Sequence, residues 1–276
     1  MIYHYTSIAT LEAILRTRRI RFNRLDRVDD IAESQTAVGI EFGKYFFVSC
    51  WTQKAEENIP LWTMYSNGMA GVRIGLHDYP FAAAPLVSPP SWGLISSGAI
   101  RSPLTFAQMF TDSYFVPPMF LTPSFFAGPV DYVADVSAVY RANVRLTHST
   151  QTELTLNNLP KLPRTKSKYW DFQFEHRFCL MILPSIPLPP RGLGSEEFST
   201  QLAQHILESF VRGADPGVAH FDLDVDPRVL AEMEITVGPL ATDAAFENVA
   251  ALRTELGLTG SLKRSELHGT IRSPKR

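Results

Sequence analysis

The run YWDFQFEHRFCLMIL, residues 169–183, limits the possible folds more than any other stretch of this chain. It is apolar and aromatic enough to lie inside a protein, yet it carries Gln173, Glu175 and Arg177 at alternate positions. Side chains of a strand alternate between faces, so the three polar groups share one face. Phe172, Phe174 and Phe178 share the other and turn toward a core. A carboxylate on a strand with a core behind it is costly unless it is paired or has a task. The triplet is therefore either a structural ion pair of Glu175 with an Arg or Lys, or a fixed carboxylate facing a cleft.

The remaining pattern mixes strands and helices in one α+β arrangement. Residues 2–6 read as a strand, and Ser7 caps a helix to about Arg19, with Leu11, Ile14 and Leu15 at helical spacing. Residues 20–23, 44–52, 70–76, 130–136, 218–225 and 234–239 read as strands, that at 44–52 as a central one. ENIPLWTMYSNG reads as a short helix with Pro60 in its first turn and Gly68 at its stop. Residues 195–211 and 242–256 read as helices, and 24–34 and 146–168 as polar loops. No repeat or compositional break divides residues 1–276, so one domain is expected, ending in a flexible basic tail at 262–276.

Residues 80–129 carry nine prolines and only two charged residues, Arg101 and Asp112. Proline at that density excludes regular helix or central strand, and the apolar content excludes disorder. The segment reads as an ordered, irregular insertion packed over the sheet, either a packing loop or a lid or partner surface.

A net charge of -2 gives no global basicity for nucleic-acid binding. Two cysteines, Cys50 and Cys179, make a disulfide scaffold unlikely and point to a reducing cytosol. No secretion leader or membrane-length apolar run is seen, so a cytoplasmic location is expected. The chain lacks the P-loop, dinucleotide-fingerprint, nucleophile-elbow and zinc-hydrolase patterns. Its seven histidines show no ligand spacing, so no metal is expected. RTRRIRFNRLDR holds six arginines; those at a helix end suit its dipole, while Arg21 and Arg24 can meet a pyrophosphate or a nucleic-acid backbone. Asp30 and Glu33 read as a solvated turn or as the rim of a site.

YHYTS at 3–7, VDDIAE at 28–33, SCWT at 49–52, NIPLWTMYSNGMAGVRIGL at 58–76, YWDFQFEHR at 169–177 and EITVGP at 234–239 follow one another in that order. Together they resemble a widespread bacterial family of unknown function marked by YHYTS, NDPxE, CWS, WxMYS and ExEWR motifs. That family is in turn similar to ADP-ribosyltransferases of the His–Tyr–Glu type. The resemblance implies mixed and antiparallel sheets with flanking helices, with NAD as substrate. It places H-x-T on His4 and Thr6, with Tyr5 between them, in the grip on adenosine. It places the nicotinamide-stacking aromatic on Tyr65, with Trp62 second, and [QE]-x-E on Gln173 and the catalytic Glu175. Arg21 is the pyrophosphate candidate. Gln173 departs from the glutamate common in the family, which bears on acceptor choice.

The implied activity is transfer of ADP-ribose to a macromolecule, nucleic acid or protein, in a toxin or phage-defence effector. Two alternatives stand beside it: a nucleotide or nucleic-acid hydrolase or phosphotransferase using the same cleft, and a catalytically inactive interaction module. For His4 itself the plainer alternative is a strand histidine that hydrogen-bonds a backbone carbonyl.

Overall fold

One strand, FFVSCWT at Phe46–Thr52, organises the molecule: six of its seven residues are buried, so it must be covered on both faces. The computed structural model describes residues 1–87, 101–148, 152–187 and 195–272. Among these a nine-stranded sheet comprises β1 Ile2–Thr6, β2 Arg19–Arg24, β3 Phe46–Thr52, β4 Val72–Leu76, β5 Ala127–Pro129, β6 Glu175–Met181, β7 His220–Asp224, β8 Glu234–Val237 and β9 Leu262–Arg264. The order is β5-β6-β3-β1-β4-β8-β9, with β2 also on β3 and β7 on β2. All these pairings are antiparallel except β8 with β9. The helices that matter are α1 Ile8–Thr17, α2 Ile59–Tyr65, α3 Val136–Asn143, α4 Glu196–Val211 and α5 Asp243–Glu255. The chain is α+β, as its pattern predicts.

The sheet forks at β3. Its whole length pairs with β6, from Phe46 opposite Met181 to Thr52 opposite Glu175. Its other edge is shared: β1 meets it only at Thr52, and β2 only at Val48 and Phe47. Among the described residues no strand pairs with Ser49, Cys50 or Trp51 on that side, and the sheet opens there. Both faces are covered. Phe47, Trp51, Phe178 and Leu180 join Leu11, Ile14 and Leu15 of α1 in one core. Phe46, Val48, Cys179 and Met181 join Tyr140 of α3 and Phe198 and Phe210 of α4 in the other.

Local signals hold at the chain's start. Ser7 Oγ accepts from Thr10 N over 3.0 Å and caps α1. Arg18 takes a left-handed backbone, φ 56°, and stops the helix one residue before β2. Asn58 caps α2, with proline in its first turn. The link from α2 to β4 passes close to β1: a Cβ at Gly71 would meet the Thr6 carbonyl at 2.2 Å, so glycine is required there.

Several expectations are corrected. The strand expected over 169–183 begins only at Glu175; Lys168–Gln173 is a 3-10 turn, and Phe174 is left-handed and half exposed rather than in a core. Residues 146–168 are not simply loop: Val144–His148 and Thr152–Leu156 form a hairpin, and Thr165–Ser167 a buried-edged strand. The strand expected at 130–136 ends at Val133, because Asp135 caps α3. The tail is partly ordered: β9 pairs with β8, and Ser265 is buried against Glu57. In the aromatic insertion, Phe106, Met109, Val116 and Phe126 enter one core and Phe115 and Phe120 the other, so these six side chains pack as core. Residues 88–100 of it lie outside the described residues. Among the described residues no helix is long and apolar enough to cross a membrane.

Candidate functional site

The fork leaves the Cys50 carbonyl without a strand partner on that edge, and His4 supplies one. His4 Nδ1 lies 2.8 Å from that oxygen. The carbonyl can only accept, so Nδ1 carries the proton and Nε2 is left as an acceptor. Among the described residues Nε2 has no partner. Burial lowers the imidazole's pKa against the raising effect of that bond, which keeps the ring neutral. Trp51 packs against it at 5.2 Å between ring centres. The plainer reading of His4, a bond to a backbone carbonyl, is therefore realised, and it also fixes the tautomer.

Glu175 opens β6 and is almost fully buried. Its Oε1 accepts from Arg177 Nε over 2.6 Å, and its Oε2 from Arg177 Nη2 over 3.1 Å and from Lys166 Nζ over 3.2 Å. Both cations are shared with a second carboxylate: Glu33 lies 3.1 Å from Lys166 Nζ and also pairs with Arg177 Nη1. Two buried cations thus sit among two buried carboxylates, and the cluster is neutral. Burial acts to raise the Glu175 pKa; Arg177 and Lys166 outweigh it and bring it down to about 2. Glu175 is therefore an anion at any ordinary pH. The Cys50 thiol stands beside it, its pKa raised well above the usual value by burial and by Glu175.

Tyr65 ends α2, and its hydroxyl accepts from Gln173 Nε2 over 2.8 Å. Burial and the nearby Asp29 carboxylate push the phenol's pKa up. Asn58 fastens the surroundings: its N–H donates to the Tyr5 hydroxyl over 3.0 Å and its Nδ2 to the Phe172 carbonyl over 2.7 Å. Phe174, at φ 45°, turns the chain between Gln173 and β6. Thr52 Oγ1 holds its carbonyl at 3.1 Å. Gln173 reaches the site from this turn and not from the strand face that simple alternation assigns to it.

Cys50, Thr52, Lys166 and Arg177 among these groups line one cleft of about 690 Å³. It contains His4, Tyr5, Tyr65, Gln173, Glu175 and Arg21 from the expected set. Tyr3, Thr52 and Glu175 lie in register across β1, β3 and β6, so Glu175 shares their face and His4 the opposite one. The cleft passes through the fork to reach both. Glu175 is thus two strands away from β1, not on its neighbour.

Two expected residues stay outside the cleft lining. Thr6 is buried in β1 opposite Val72. Trp62 is fully buried, edge-on to Tyr5 at 4.8 Å, with its Nε1 donating to Glu57 over 2.8 Å; it fastens α2 and has no free face for a ligand. The arginine run is mostly paired. Arg21 binds Asp222 through two bonds of 3.0 and 3.1 Å at the cleft wall, and Arg24 is buried against Asp26 and Asp215 and lies outside the lining. Arg27 lines the cleft, and among the described residues it has no ion-pair partner.

Sequence reasoning missed Lys166 and Cys50, and it read Glu33 as a solvated turn or a rim residue where the fold buries it completely. Lys166 lies in a polar run with no periodicity, and Glu33 in a turn that reads as solvated. Neither carries a local signal of burial, because the burial is produced by Arg177 and α3. Asp30 caps the Ile31–Glu33 turn, and the Tyr140 hydroxyl donates to the Glu33 carbonyl over 3.0 Å. Among the described residues no three His, Cys, Asp or Glu side chains group as a metal site. Compared with family models, curated proteins and solved structures, the chain matches none.

Proposed function

We propose that this chain consumes NAD and transfers ADP-ribose to a macromolecular acceptor, nucleic acid or protein, with Glu175 as the working carboxylate. The observation that carries the reading is the Tyr65–Gln173 hydrogen bond, which joins an aromatic side chain to the Gln-x-Glu segment in the cleft that also holds His4. A volume of about 690 Å³ suits a ligand of dinucleotide size. Its lining holds more cations than carboxylates, as a pyrophosphate requires.

In this reaction the bond between ribose C1′ and the nicotinamide nitrogen breaks, and the electron pair leaves with nicotinamide. Positive charge develops on the ribose. An ionised Glu175 accepts from the ribose 2′-hydroxyl and stabilises that charge. The acceptor's nucleophile then bonds to C1′ and releases a proton. Neutral His4, with Nε2 as acceptor, receives a hydroxyl of the adenosine ribose. The Tyr65 ring packs on nicotinamide. A toxin or phage-defence role follows from the family resemblance alone.

A second reading is favoured by one observation: both Glu175 oxygens already carry cations. A site whose carboxylate serves to hold Lys166 and Arg177 suits a phosphate-transferring or hydrolysing enzyme.

The test is nicotinamide release from NAD, alone and with cell lysate, by the wild type, Glu175→Gln and Tyr65→Ala, with folding checked by circular dichroism. Release by the wild type that both variants lose supports the reading. A folded wild type that releases none in either setting overturns it, and phosphate release from nucleotides then tests the alternative.

A further inference from the structure

The neutral cluster has more members than a carboxylate needs in order to stay ionised. One cation would hold Glu175 charged, yet two are present, Lys166 and Arg177, and both are divided with Glu33. Glu33 is completely buried, as is Arg177, while Lys166 is 5 % exposed. Glu33 does not line the cleft, whereas the other three do. Its carboxylate therefore acts on a ligand only through the cations.

The arithmetic of charge shows what it does there. Without Glu33, Glu175 would face two cations alone, and the cleft floor would carry a net positive charge. A carboxylate neutralised twice over is a poor partner for a ribose that is becoming a cation. With Glu33 present, each cation spends one contact on it, and the floor is neutral around an anionic Glu175.

We propose that Glu33 is a positioning residue for Glu175: by drawing Lys166 and Arg177 partly away from the cleft, it sets the charge that Glu175 presents to the ligand. As a claim about catalysis this rests on the NAD reading above; as a claim about the site's charge it does not.

Cys50 is a reporter within the site. It lines the cleft, and the charged groups that act on its thiol are Glu175, Arg177 and Lys166. Cys179 is fully buried in the second core and serves as the internal reference. The experiment is alkylation of Cys50 by iodoacetamide across pH, read by peptide mass, in the wild type, Glu33→Gln and Glu33→Asp. Glu33→Gln leaves the cluster with one excess positive charge. The thiol midpoint is then expected to fall by about one pH unit, a roughly tenfold faster reaction below the midpoint. Glu33→Asp keeps the charge and is expected to stay near the wild type.

A looser fold would raise the rate at every pH without moving the midpoint. An unmoved midpoint in folded Glu33→Gln overturns the proposal, whatever the NAD assay shows. A moved midpoint in a protein that releases no nicotinamide upholds the charge role and rejects the NAD reading. In a protein that does turn over NAD, Glu33→Gln is also expected to lower kcat about tenfold with KM nearly unchanged. A fall in proportion to lost folded protein, with kcat per folded molecule intact, overturns the catalytic part.

Discussion

Tyr65 and Gln173 stand 108 positions apart in the chain and meet in one 2.8 Å hydrogen bond, with the amide donating to the phenol. The bond links the end of α2 to the turn that leads into β6. It fixes the tyrosine relative to Glu175 without touching Glu175 itself.

Tyr65→Phe keeps the ring and removes the acceptor of that bond. We expect a stability loss of about 1 kcal/mol, measured by urea denaturation. If the ring packs on nicotinamide, NAD affinity by calorimetry is nearly unchanged in Tyr65→Phe and falls at least about tenfold in Tyr65→Ala. Equal affinities in both variants remove Tyr65 from the ligand site.

Glu175→Ala deletes one carboxylate from a buried neutral cluster and leaves Lys166 and Arg177 with Glu33 alone. Breaking such a pair from one side costs about 3–5 kcal/mol. The melting temperature should drop accordingly. A change within experimental error would show that water reaches the cluster and screens it.

Acid should weaken the fold in two stages. The pKa values of His4 and His176 are lowered from 6.5, both chiefly by burial. The unfolded chain therefore binds protons there that the folded chain refuses, and stability falls as pH drops below 6.5. Glu175, lowered from 4.5 to about 2, contributes stability that is complete above 4.5 and is lost as pH falls toward 2. Denaturant midpoints measured between pH 8 and 3 should show both slopes. His4→Gln should lessen the upper one, leaving the share of His176, and should not alter the lower.

Phe126→Ala tests the aromatic insertion. Phe126 is buried against Phe22, Phe81 and Phe178 at ring distances of 5.4–6.2 Å. Its removal should cost about 3–5 kcal/mol. No described residue of 80–129 lines the cleft, so ligand affinity of the folded variant should be unchanged. A change in affinity without a loss of stability would restore the lid reading.

Glu57→Ala tests the fastening of the C-terminal segment. The Glu57 carboxylate accepts from Trp62 Nε1, Ser265 Oγ and Glu266 N. Losing it strands a buried indole N–H and should cost about 1–3 kcal/mol, with a change in tryptophan fluorescence. An unaltered spectrum and midpoint would show that the segment is held by its apolar contacts alone.

The sequence by itself determined the local pieces. The strand at 2–6, the Ser7 cap, the β3 strand, the helix read over 195–211 and the closing helix follow from periodicity and capping chemistry, which act within a few residues. It also marked His4, Tyr65, Gln173 and Glu175, which the fold gathers in one cleft, and it offered Trp62 and Thr6, which the fold buries elsewhere. Tertiary structure alone decided that Lys166 and Glu33 lie inside. A Lys in a polar run and a Glu in a turn are soluble groups by every local measure. They are buried because Arg177 and Glu175 of β6 meet both of them with complementary charge, and desolvating an ion is tolerable only where its partners are already in place. The fork that makes the cleft is likewise absent from any single segment, since it exists only because β1 and β2 divide one edge of β3 between them.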